Sequence, residues 1–234
     1  MGNRRLIEPR RDRVRWLTLA GILVVATVVA AGTLVERRGA PAAGPPGPGA
    51  WPATRGAVAA PSSHRVARYV FPVLGETSYA KDHADYPAAD ILAACGSTVR
   101  AVTDGVVLEV SRTDRYDAVS DDGAARGGLF VSLLGDDGVR YYGSHLRSIG
   151  AGVVKGARVS AGQPVGEVGD SGRAGACHLH FGISPPCAGA GDWWIRRGVI
   201  RPWSYLDSWR AGGHVSPSPE ARAWRAVNGC PRAP

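Results

Sequence analysis

Short runs of valine and isoleucine, cut by glycine every few residues, constrain the fold of this chain more than any other feature. Val99 to Val102 and Val106 to Val110 flank Thr103-Asp104-Gly105, and Leu129 to Leu134 and Val139 to Tyr142 flank Gly135-Asp136-Asp137-Gly138. Each pair predicts a β-hairpin, because β-branched residues favour the pleated sheet and Gly and Asp supply the turn. Lys155 to Gly166 alternates short strand-like pieces with glycine turns. With 32 glycines and 17 prolines in 234 residues, a helical bundle is excluded. The expected fold class is mainly β, an antiparallel sheet or barrel-sandwich-like domain, preceded by one transmembrane helix.

The pentad Cys177-His178-Leu179-His180-Phe181 sets two of only six histidines one residue apart. An aromatic and an isoleucine follow, and Pro185-Pro186 ends the run, so a strand is expected there. In a strand, residues i and i+2 share a face, with their Cβ atoms about 7 Å apart. One imidazole can then bind a metal while the other works beside it.

The net charge of +8 is not spread evenly. Residues 1–38 hold eight arginines against three acids, and no basic stripe interleaved with aromatics follows, so no nucleic-acid partner is expected. Trp16 to Val35 is free of charge for twenty residues, enough for a helix of about 30 Å, the thickness of a hydrocarbon core. Six arginines precede it and two follow, which keeps residues 1–15 in the cytoplasm as a basic tail and places the C-terminal part outside. The expected localisation is a single-pass cell-membrane protein anchored by this N-terminal helix, with a cleaved, secreted form as the alternative.

Residues 36–66 are rich in Pro, Ala and Gly and cannot build a core, so they read as a semi-extended tether. The folded domain is expected over 67–210, with 211–234 as a C-terminal extension. Residues 115–128 look like a long surface loop, and 111–128 is a candidate to gate a groove. Cys95, Cys177, Cys187 and Cys230 in an exported domain imply disulfides, with three pairings open; one of them closes a small loop between Cys177 and Cys187.

A catalytic zinc site takes three protein ligands and leaves a position for water. His83, Asp90 and His145 are the candidates to complete the histidine strand. Asp90 lies inside the apolar run Ala89-Asp90-Ile91-Leu92-Ala93, where a lone carboxylate needs a metal or a cation. His145 follows Tyr141-Tyr142-Gly143-Ser144 at a strand end.

In this order the residues resemble a family. Asp90-Ile91, Gly96-Ser97-Thr98-Val99, Asp104-Gly105, Tyr142 with His145-Leu146, Gly166-x-x-Gly169-Asp170-Ser171-Gly172 and His178-Leu179-His180-Phe181 are similar to the lysostaphin/LytM-type zinc metallopeptidases, over about residues 70–185. These cut peptide cross-links of bacterial peptidoglycan. The resemblance implies zinc as cofactor, Asp90 and His180 as ligands, and His145 and His178 as catalytic histidines. The family's remaining ligand is a histidine four residues before the aspartate, a position held here by Tyr86. We expect His83 to reach the metal across Asp85-Tyr86-Pro87, with Asp82 and Asp85 as fallback ligands. Gly182 is a second departure, since the family commonly has glutamate after His-Leu-His-Phe.

The implied activity is a membrane-anchored, zinc-dependent endopeptidase acting on peptidoglycan cross-link peptide through a metal-activated water. The alternative is a catalytically inactive relative that binds wall or activates another hydrolase. His64 and His214 lie in linker-like sequence and are expected to be solvated. Trp193-Trp194, Trp203 and Trp209 are read as packing residues, with a role in lining a groove as the alternative.

Overall fold

The computed structural model describes residues 67–187 and 192–231. The expected basic tail, transmembrane anchor and most of the tether lie outside these residues. Among the described residues no helix is long and apolar enough to cross a membrane.

Eight antiparallel strands form one sheet: β1 (Ala89–Leu92), β2 (Thr98–Arg100), β3 (Gly105–Ser111), β4 (Leu129–Gly135), β5 (Arg140–Ile149), β6 (Arg158–Val159), β7 (Pro164–Val168) and β8 (His178–Ser184). The main path runs β1-β8-β5-β4-β3-β6, and β7 joins β5 to β2. This mainly antiparallel sheet is the expected fold class. The β4–β5 hairpin forms as predicted, with Leu133 opposite Tyr141 and Leu134 opposite Arg140 across the Gly135–Gly138 turn.

The other predicted hairpin does not form. β2 pairs β7, while β3 pairs β4 and β6. Asp104 explains the divergence: its Oδ1 accepts from the Ala161 amide at 2.8 Å and its carbonyl accepts from the Asp136 amide at 2.9 Å. The Thr103–Gly105 turn is thus spent on two distant loops rather than on closing a hairpin. Local turn chemistry is blind to such partners.

Leu179, Phe181 and Ile183 of β8 pack with Ile91, Val131, Leu133, Tyr141 and Leu146 into one core. Because β8 is central and buried on both faces, its residues from Leu179 to Ser184 are all buried, polar ones included. Helices α1 (Trp193–Arg196), α2 (Trp203–Arg210) and α3 (Ser218–Asn228) follow the sheet. Trp209 stacks on Tyr69 at 5.2 Å between centroids, which bears out its packing role. His214 is not simply solvated: its Nδ1 accepts the Tyr69 amide at 3.2 Å.

The start of α1 is anchored by a buried ion pair. Arg140 on β5 donates to Asp192 at 2.6 Å, to the Cys187 carbonyl at 3.0 Å and to Ser184 at 3.0 Å. These bonds satisfy Nε and Nη1 of the buried guanidinium, while Nη2 is buried without a partner. Two disulfides complete the frame, Cys95–Cys177 and Cys187–Cys230. The small Cys177–Cys187 loop is not formed, because Cys187 lies beyond the far end of β8 from Cys177 and meets the chain after α3.

Candidate metal centre

The centre begins with sheet register. Asp90 on β1 lies directly opposite His180 on β8, and His180 lies opposite Ser144 on β5. Directly opposed residues on antiparallel strands bring their side chains together on one face. The His180 Nδ1 is accordingly 2.9 Å from Asp90 Oδ1.

The other ring nitrogen of His180 fixes its tautomer. Nε2 lies 2.9 Å from the Arg197 carbonyl, which can only accept, so Nε2 carries a proton. In the neutral ring, Nδ1 then presents a lone pair to a carboxylate oxygen. Two acceptors at 2.9 Å repel unless a proton joins them, as in the hydrogen bond to Asp90, or a metal cation takes that proton's place. This donor set therefore fits a metal ion on its own chemistry.

His83 precedes β1 in a tight turn closed by the Tyr86 amide donating to the His83 carbonyl at 3.2 Å. The turn swings the imidazole over the sheet edge, with Nε2 3.6 Å from Asp90 Oδ1 and the ring 5.0 Å from that of His180. His83, Asp90 and His180 each offer one ligand atom, and these atoms lie within 4.8 Å of one another. The proline-bearing segment thus brings His83 to Asp90 and His180. Tyr86 packs on His83 at 4.3 Å. Asp85 also lines the groove, and Asp82 is not among its lining residues.

His145 and His178 stand beside this group. Their rings are 4.7 Å apart, and His178 Nε2 is 3.7 Å from Asp90 Oδ1. His145 occupies a left-handed backbone conformation, φ 62°, where β5 passes from pairing with β8 to pairing with β7. A non-glycine residue held there is strained, and here the strain aims the ring into the groove. Its Nδ1 donates to the Ser171 carbonyl at 2.7 Å, and the His178 Nδ1 donates to the Ala176 carbonyl at 2.8 Å. In its neutral form, each ring so held keeps an Nε2 lone pair free.

Electrostatics keep the group ready for a cation. Burial pushes Asp90 up, but the His180 hydrogen bond and the neighbouring histidines outweigh it and lower its carboxyl to about 2. Burial, reinforced by His180, lowers His83 below the ordinary imidazole range. Burial alone is the chief cause that takes His145 down to about 4. Neutral histidines and an ionised aspartate are the forms a metal needs.

These five residues line one groove of about 320 Å³. Sequence reading missed the rest of its wall, including Ser144, Arg126, Arg196 and Arg197. Trp193, read as packing, also faces it, against Gly123 of the long loop. Gly182 now has a reason: a Cβ there would stand 2.3 Å from the Arg197 carbonyl, the oxygen that holds His180. No side chain, glutamate included, fits under that crossing. The only available signals were the Trp193-Trp194 and Arg196-Arg197 doublets, whose direction a sequence does not reveal.

The chain is similar to several solved peptidases. The catalytic domain of lysostaphin from Staphylococcus simulans is 24% identical over 60% of this chain and 90% of that one, with a TM-score of 0.43. Full lysostaphin is 24% identical over 65% and 60%, TM-score 0.47. A zinc-containing peptidase from Vibrio cholerae is 20% identical over 57% and 38%, TM-score 0.39. The chain also spans only 50% of a matched chain from Pseudomonas aeruginosa. No curated protein matches it. Residues 85–189 match the model of peptidase family M23, so this chain carries a peptidase family M23 domain.

Proposed function

We propose that the protein is a zinc-dependent endopeptidase that hydrolyses peptide cross-links of bacterial peptidoglycan. The observation that carries the reading is the convergence of His83, Asp90 and His180 within 4.8 Å, beside two histidines with free Nε2 lone pairs. His83, Asp90 and His180 would hold the metal, and the groove leaves a side open to water and peptide. Zinc there supplies a Lewis acid for both water and the scissile carbonyl.

The protein's own residues do the remaining work. His145, neutral down to about pH 4, offers Nε2 as a proton acceptor at neutral pH. His178, its ring 4.7 Å away, is placed to pass that proton on or to stabilise charge on the carbonyl oxygen. The carbonyls of Ser171 and Ala176 hold the two rings in the tautomer this requires. The Arg197 carbonyl orients His180 from behind, the usual duty of an outer partner to a ligating histidine.

Two disulfides support an oxidising compartment, in keeping with an extracytoplasmic domain tethered to the membrane by residues 16–35. The test is release of new amino groups from purified peptidoglycan by the full-length protein. Release that a chelator abolishes and zinc restores is the expected outcome. Zinc-loaded protein that releases none refutes the reading.

A further inference from the structure

Four arginines face the groove: Arg126, Arg173, Arg196 and Arg197. Three of them reach a carboxylate, two of these sharing one. Arg126 and Arg173 reach Asp121 at 2.7 and 3.4 Å, and Arg196 reaches Glu109 at 2.8 Å. Arg197 alone among them has no carboxylate partner among the described residues, and its Nε is buried without a hydrogen bond.

Its placement is nonetheless tightly defined. The guanidinium carbon lies 3.8 Å from the centre of the Tyr86 ring and 5.2 Å from that of Trp193. Tyr86 in turn packs on His83 at 4.3 Å and on His180 at 5.8 Å, so the cation sits one ring away from the metal group. The Arg197 backbone is held by the His180 hydrogen bond and by its crossing over Gly182. A guanidinium stacked on aromatic rings keeps its planar fork free for a carboxylate, and it is the side chain best suited to bind one with two hydrogen bonds. Tyr86, which stands where the family resemblance expects a histidine, thus becomes a platform.

We propose that Arg197, carried on Tyr86, is the carboxylate anchor of the groove. The substrate class is then a peptide with a free carboxylate close to the scissile bond, in preference to an uncharged peptide. This rests on the peptidase reading for its place beside the reacting bond. The carboxylate has two sources, an acidic side chain or a free C-terminus, and both present the same chemistry to Arg197.

The test uses the full-length, zinc-loaded protein and synthetic cross-linked peptides in matched pairs. One pair differs in a side-chain carboxyl that is free or amidated, the other in a C-terminal carboxyl that is free or amidated. Wild type should cleave the free acid of one pair ~10- to 100-fold faster in kcat/KM than its amide, mainly through KM. Which pair responds names the source. Arg197→Gln should compress that ratio towards one, and Arg197→Lys should restore part of it. Equal cleavage of acid and amide by wild type in both pairs overturns the anchor while leaving the peptidase intact. If no peptide is cleaved, the peptidase reading falls. Equilibrium binding of the same pairs then decides the anchor, with equal affinities overturning it and a preference lost in Arg197→Gln upholding it. Should Arg197→Gln fail to fold, Tyr86→Leu removes the platform instead. An undiminished ratio in that variant also overturns the proposal.

Discussion

Gly182 lies directly under the Arg197 carbonyl: a Cβ at residue 182 would meet that oxygen at 2.3 Å, and the same oxygen accepts the Nε2 proton of His180 at 2.9 Å. The backbone of the α1 segment is thereby an outer partner to the proposed metal ligand.

Gly182→Ala should therefore weaken the centre without touching it. Pushing the crossing Arg197–Gly198 segment away costs about 1–3 kcal/mol of stability. Losing the orientation of His180 should lower zinc affinity by ~10- to 100-fold. Thermal denaturation and competition with a chelator measure the two effects separately.

Removal of the Cys95–Cys177 bridge is the second case. It joins the segment after β1 to the residue before His178, across 82 residues. Replacing both cysteines with alanine should cost about 3–5 kcal/mol, chiefly by freeing the unfolded chain. The start of β8 should fray, so activity should fall more steeply than zinc content. Denaturant midpoints of the variant and wild type, with zinc measured alongside, check this.

The stability of the zinc-free protein should depend on His145 in a defined pH window. Its folded pKa of about 4 lies below the ordinary 6.5, because burial penalises the charged ring. Above pH 6.5 both folded and unfolded forms are neutral, and the group is without effect. As pH falls from 6.5 to 4 the unfolded chain takes up a proton that the folded one refuses, and stability drops by about 3 kcal/mol. Below 4 the loss is complete. His145→Gln should flatten this slope in urea unfolding from pH 7 to 4, and an unchanged slope would assign it to other groups.

Much of the centre was legible because it is local. His178 and His180 announce themselves by strand period, and Asp90 by its apolar neighbours. The β4–β5 hairpin was legible for the same reason, its turn residues lying between its own strands. What escaped is non-local. Asp104 serves Ala161 and Asp136 rather than its own hairpin, and no spacing rule reveals it. Cys95 chooses Cys177 only because β1 and β8 pair. Arg197 reaches the groove because the buried Arg140–Asp192 pair aims the α1 segment, two residues 52 positions apart. His83 was the borderline case: its spacing departs from the resembled pattern, and only the turn closed at Tyr86 brings it to Asp90.

The division of labour among the histidines is tested most directly by one paired measurement. Zinc content and peptidoglycan cleavage are determined together for the full-length protein and for His83→Ala and His178→Ala. Wild type should hold one zinc per chain and cleave. His83→Ala should lose both properties, whereas His178→Ala should keep most of its zinc and lose cleavage by ~100-fold or more. A wild type without zinc or activity, a His83→Ala that keeps both, or a His178→Ala that loses its metal would contradict the account.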